Sequence, residues 1–405
     1  MNKKILTGVL GAGLLGGLSL PASGASTDNI TFSGFLTAGA NYASQPVLAN
    51  TGAVSSDGSI GNVVSFEKDS RFGLQVSAQI NPEVSVTGQM LAKANENSYS
   101  LSTDWAYVKY RASNNLSVRA GRVKLPSFLI SDYNEVGYAY PWVRPPQEMY
   151  SANPMTGVNG VDMLLRFSMG DLGLLIQPFY GNNTQQTTVP QAIVSSGAPL
   201  CLGAPGGPPP AAVNYVSCPA GTVVTVPFSV EGLHGINLSL GSDSFTLRAS
   251  WFKTRVYQSD FGVVGDDGSF SSAGLTVDVK NIVFYTEGFV RVVEGMGGAA
   301  FPNQEGGYAT LGYRFGKFMP HVTYGWIDPH VTAGQSPMAT PLVQRSVALG
   351  ARYELGRGAA FKFEALRVTP QSGTTGLLLA DPNGAGSPHP SENVMIYSAA
   401  VDVVF

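Results

Sequence analysis

Apolar and polar positions alternate with a period of two along most of this chain. That is the spacing of a β-strand with one face toward an apolar phase and the other toward a polar one. In residues 29–43, Phe32, Gly34, Leu36, Ala38, Ala40 and Tyr42 share one face. Thr31, Ser33, Thr37 and Asn41 share the other, with Phe35 as the exception. In 63–80, Phe72, Leu74, Val76, Ala78 and Ile80 oppose Arg71, Gln75, Ser77 and Gln79. The same pattern predicts strands at 84–94, 102–111, 116–124, 158–168, 172–181, 227–240, 244–258 and 270–279. Further strands follow at 281–294, 306–315, 319–328, 342–355, 359–370 and 393–405, sixteen in all. Strand and turn are hardest to separate at 270–279.

The connections alternate in length. Short ones fall at 81–83, 112–115, 169–171, 241–243, 280, 316–318 and 356–358. Long ones fall at 44–62, 95–101, 125–157, 182–226, 259–269, 295–305, 329–341 and 371–392. An even number of strands, with short turns at one end and long loops at the other, predicts an all-β fold: a transmembrane antiparallel up-and-down β-barrel. A closed barrel is one of the two ways a chain can satisfy its backbone in lipid. The polar face is mostly Ser, Thr, Asn, Gln and Gly with scattered charges, which suits a water-filled interior. Tyr110, Tyr180, Trp251, Tyr313, Trp326 and Tyr353 recur near strand ends, where interfacial girdles stand.

Composition supports this reading. Charged residues are 13% of the chain and glycine 49 of 405, against roughly 25% charged and 7% glycine in soluble domains. No stretch beyond the N-terminus has the roughly 18 apolar residues of a spanning helix. Residues 1–25 combine Lys3 and Lys4, an apolar run over 5–20 and the small-residue site Ser23-Gly24-Ala25, so they are expected to be a cleaved export signal with the barrel over 26–405. The formal net charge of −3 becomes −5 without that segment, which excludes an electrostatic footprint for nucleic acid. Cys201 and Cys218, in a Gly/Pro-rich stretch of an exported chain, are expected to form a disulfide. The four histidines lack metal-ligand spacing and no nucleophile motif is present, so neither a cofactor nor an enzymatic role is expected.

The connection 125–157, LPSFLISDYNEVGYAYPWVRPPQEMYSANPMTG, is rich in proline and holds six aromatic rings. A segment this apolar is expected to pack against something. With sixteen strands, this loop order and Phe405 last, with Val403, Val401 and Tyr397 on its face, the chain resembles the sixteen-stranded Gram-negative porins. The stretch from VRAGRVKLPSF to GYAYPWVRPPQEMY resembles a porin-like branch of Gammaproteobacteria. Where general diffusion porins often carry a PEFGG-type motif, this chain has Pro126-Ser127-Phe128.

The resemblance implies a passive diffusion channel for ions and small hydrophilic solutes in the outer membrane. In that family the third long loop folds inward, and its acids face basic residues of the wall. Here that implies Asp132, Glu135, Arg144 and Glu148 on the loop, and Arg71, Arg119, Arg166 and Arg248 on the wall, with Asp132 and Glu135 across a water gap from Arg71, Arg119 and Arg166. It also implies a homotrimer, contact with membrane lipid and lipopolysaccharide, and recognition by the barrel-insertion machinery through Phe405. The small residues Gly34, Ala38 and Ala40 of the first strand suit close packing between walls. The alternative is a barrel acting through its outer loops, chiefly 182–226, as an adhesin or receptor.

Overall fold

A computed structural model describes residues 29–44, 63–95, 98–190, 223–258, 263–295, 303–330, 343–371 and 393–405, with short strand pieces at 26–27, 47–49, 59–60, 200–202, 215–217 and 377–380. Sixteen antiparallel strands form the wall: β1 (Ile30–Ala43), β2 (Arg71–Gln79), β3 (Val84–Asn95), β4 (Ser98–Arg111), β5 (Leu116–Lys124), β6 (Gly157–Met169), β7 (Leu172–Pro190) and β8 (Val223–Gly241). They continue as β9 (Phe245–Gln258), β10 (Val263–Val279), β11 (Ile282–Val293), β12 (Gln304–Tyr313), β13 (Phe318–Pro329), β14 (Gln344–Gly356), β15 (Ala359–Pro370) and β16 (Val394–Val404). Each strand pairs with its neighbours in sequence. The sheet closes where β1 pairs with both β2 and β16, in a register that sets Phe35 opposite Val404 and Ala43 opposite Ile396. Phe405 extends the seam, exchanging backbone hydrogen bonds with Gly34 at 2.8 and 3.0 Å.

The sixteen expected strands are all present, with shifted ends. β2 begins at Arg71 rather than 63, because residues 63–70 form a turn that Ser65 ties to Asn41 by two backbone bonds. β4, β7, β8 and β10 run further than expected; in β7 pairing continues through residues 182–188, NNTQQTT, where the sequence is polar on both faces and the alternation fades. The connection expected over 182–226 is therefore 191–222. Segment 270–279 is strand throughout and continues back to Val263. The expected signal at 1–25 lies outside the described residues, as does Cys218 and with it the expected pairing to Cys201.

The turns have local causes. At 81–83 the side-chain oxygen of Asn81 accepts from the backbone of Glu83 and Val84 at 2.9 and 2.8 Å, an Asx turn. Ser113 caps 112–115 in the same manner. The β10–β11 turn places Lys280 at φ 55°, a conformation that few non-glycine residues adopt.

The outer face is apolar and open. Phe32, Leu36, Met90, Leu238, Leu349 and Phe363 expose 40–62% of their surface, far more contiguous apolar area than a water-facing wall tolerates. The six expected girdle aromatics divide by end. Tyr110, Tyr313 and Tyr353 stand at the short-turn end, and Tyr180, Trp251 and Trp326 toward the long-loop end.

The inner face departs from expectation on one side. The phase that places Thr, Asn and Gln inward elsewhere places Phe179, Phe252, Phe270 and Phe289 inward on β7, β9, β10 and β11. Their rings form a row at 6.4, 5.3 and 5.7 Å between centroids, all buried. Phe128 of the 125–157 connection stands edge-on to Phe270 at 5.6 Å. Part of the interior is therefore an apolar core.

Candidate functional site: the segment anchored to the inner wall

Residues 125–156 follow β5 and form two short 3-10 turns, Ser131–Tyr133 and Gly137–Ala139, and one α-helical turn, α1 (Gln147–Tyr150). Proline at 126, 141, 145 and 146 prevents longer regular structure. Most of the segment is buried, with Ile130, Tyr140, Trp142 and Met149 at 1% exposure or less. Its polar backbone must then be satisfied by the wall, and charged side chains of the inner face do this.

Lys362 on β15 donates to the carbonyls of Gly137 at 2.5 Å and Trp142 at 2.8 Å while paired with Asp402 at 2.9 Å. Thr37 donates to the second oxygen of Asp402 at 2.6 Å. Arg352 on β14 donates to the carbonyls of Tyr138 and Tyr140 at 2.6 and 3.0 Å, and its guanidinium lies 4.6 Å over the Tyr138 ring. Glu287 on β11 accepts from the Leu129 backbone at 2.6 Å and the Tyr150 hydroxyl at 2.9 Å. The Trp142 indole donates to Thr310 and Thr323, both at 3.0 Å, and stands edge-on to Tyr285 and Tyr308. Gly137 is closely fitted: an added Cβ would lie 2.0 Å from an Asp402 oxygen, so a side chain there would force the Asp402 cluster to shift.

The four charged residues singled out on this segment each meet the wall. Glu135 contacts Lys93 at 2.8 Å and Arg71 at 3.7 Å. Asp132 pairs with Arg248 at 2.9 Å. Arg144 grips Asp69 with two bonds, 2.5 and 2.9 Å, and Ser398 at 2.7 Å. Glu148 accepts from Gln344 at 2.7 Å. Burial alone would raise both acids of the first turns. Lys93, Lys124 and Arg71 instead hold the Glu135 carboxyl down to about 2, and Arg248 and Arg119 hold Asp132 below the usual carboxylate range.

This corrects the expected facing of charges across a gap. Glu135 and Arg71 are in contact. Arg119 makes no hydrogen bond or ion pair with the segment and acts on Asp132 only at a distance; it is held by Asp162 through two nitrogens, with its guanidinium 5.3 Å from the Trp105 ring centroid. Arg166 is half-buried on the inner face of β6 and meets no carboxylate among the described residues. Lys93, Arg352, Lys362 and Glu287 were not singled out from sequence. Their positions keep the inward phase of their strands, so alternation carried a signal for each.

These anchors fall on the wall from β9 through β16 to β3. From β9 through β16 to β1 the inner face is covered, and β2 and β3 carry its edge. Along β2 to β6 it is more open: Gln75, Ser77, Lys93, Tyr107, Lys109 and Arg166 retain intermediate exposure.

No protein-family model matches the chain, and no curated protein matches its sequence. Solved structures do match in fold. Together with the closed wall of sixteen strands and its apolar outer face, they show a transmembrane β-barrel with the fold of outer-membrane porins and channels. The anion-selective porin of Comamonas acidovorans superposes with a TM-score of 0.54 at 12% identity, covering 93% of this chain and 99% of that one. OmpT of Vibrio cholerae gives 0.53 at 9% identity over 95% and 100%. The outer membrane channel DcaP of Acinetobacter baumannii gives 0.53 at 11% over 94% and 99%.

Proposed function

We propose that the protein is a non-enzymatic passive channel for ions and small hydrophilic solutes, and that residues 125–157 are its constriction. The observation that carries this reading is the asymmetry of the interior. One side is filled by an anchored segment, and beside and beyond it on β2–β6 the inward side chains of Gln75, Ser77, Lys93, Tyr107, Lys109 and Arg166 stay partly exposed. Asp132, whose side chain is 31% exposed, marks the edge of the segment toward that side. A pore that owes its width to a fixed loop needs the loop fastened, and ion pairs and carbonyl-capturing bases supply the fastening.

The test is direct. Purified protein in planar bilayers should give stepwise conductance, and shortening the segment between Ile130 and Gln147 should enlarge the unit step. Absence of steps would remove the channel reading in favour of a barrel acting through its outer loops. A homotrimer fits the same reading, with Ala38 and Ala40 on the outer face of β1. Gly34 does not serve that purpose, because the Phe405 ring covers it. Mild detergent extraction yielding monomer alone would count against the trimer.

A further inference from the structure

The sign of the favoured ion is a separate question, and the answer below rests on the channel reading. We infer that the open path along β2–β6 prefers anions, and that solutes bearing carboxylate or phosphate groups are the class it passes best.

The charges of the inner wall are unequally buried. The carboxylates of the mid-barrel are covered: Asp69, Glu135, Asp162, Glu287, Glu364 and Asp402 each expose 6% or less. Of the bases on the open side, Arg119 and Lys124 are covered and paired with Asp162 and Asp104, whereas four others are not. The Arg71 and Lys93 side chains expose 14% and 22%, and Lys109 and Arg166 are half-buried. An acid under the loop, or in contact with an arginine, is neutralised at short range and presents little field to a passing ion. An amine in contact with solvent presents its charge directly. Among the described residues of the mid-barrel, Asp132 is the acid that an ion would meet, and Arg248 holds it at 2.9 Å. Glu135 is shared between two bases. Lower down, Asp278 and Glu354 are each held by an arginine, at 2.6 and 2.7 Å.

The bases are also spaced along the path. Lys93 stands opposite Ser100 of β4, and Lys109 lies further down the same strand, about 30 Å at the usual rise per residue. Lys109 stands directly opposite Arg119, a like-charge pairing that costs free energy between strands. Asp162 compensates Arg119 through both nitrogens and leaves the Lys109 charge uncompensated. No carboxylate lies within 4.0 Å of Lys109 or Arg166 among the described residues. A mobile anion at this level relieves the repulsion, whereas a mobile cation adds to it.

The experiment is the reversal potential of the purified channel in bilayers under a potassium chloride gradient, for the wild type and for Lys109→Gln with Arg166→Gln. The expected result is chloride preference in the wild type. In the double variant the chloride-to-potassium permeability ratio should fall by roughly twofold or more at low salt, where screening is weakest. Lys109→Gln alone, which removes a side chain that makes no ion pair, serves if the double variant fails to assemble. Stepwise conductance with potassium preference, or unchanged selectivity in the variants at low salt, would overturn the anion inference and leave the channel standing. Absence of any conductance would overturn both.

Discussion

Gly137 shows how closely the loop is fitted. A methyl group there would meet Asp402 and Thr37, both part of the cluster that Lys362 organises. Gly137→Ala should therefore destabilise the barrel by about 1–3 kcal/mol through overpacking, read as a lower unfolding temperature in detergent. Lys362→Met is expected to cost more, about 3–5 kcal/mol, because Asp402 is left as an unpaired buried charge. Adding Asp402→Asn should recover part of that loss, and no recovery would mean that Lys362 acts through the carbonyls of Gly137 and Trp142 alone. Glu135 adds a pH dependence of known sign. Its carboxyl is depressed in the folded chain, so its contribution is complete above the unfolded value near 4.5 and is lost as pH falls through about 2. Glu135→Gln should leave a variant whose thermal stability changes less than that of the wild type between pH 4.5 and 2.

At the scale of elements, the strands were legible because lipid on one side and polar interior on the other impose a strict period of two. They became illegible where that contrast ends. Residues 182–190 and 223–226 are paired strand, yet Gln185, Gln186, Thr187 and Thr188 give no apolar face to read. The row from Phe179 to Phe289 was missed for the opposite reason: inward phenylalanines break the rule that the inner face is polar. What they pack against, Phe128 and its neighbours, comes from a loop whose path no periodicity encodes. The loop's partners were only half legible. Alternation assigns Arg248, Lys93, Arg352 and Lys362 to one face of the wall. Which base meets which acid depends on how the loop crosses the interior, and that is a three-dimensional property. Replacing Phe270 by Ala should loosen Phe128 and its segment, costing about 3–5 kcal/mol and raising open-channel current noise. A quiet channel in that variant would show that the ion pairs alone hold the loop.

For the whole molecule, the anchored segment also fixes how the protein answers an electrical field. Residues 125–156 carry a formal net charge of −2. Moving them across the full field of a 100 mV potential would change their energy by at most about 4.6 kcal/mol, at roughly 2.3 per charge. Hydrogen bonds to charged groups contribute about 1.5–3 kcal/mol each. The pairs made by Glu135, Asp132 and Arg144, with the carbonyls held by Lys362 and Arg352, exceed that work several times over. On the proposed channel reading the molecule is consequently a resistor rather than a switch. Its current should rise linearly with applied potential through at least 100 mV of either polarity, without stepwise closure. Variants stripped of Lys362 and Arg352 should begin to close within that window.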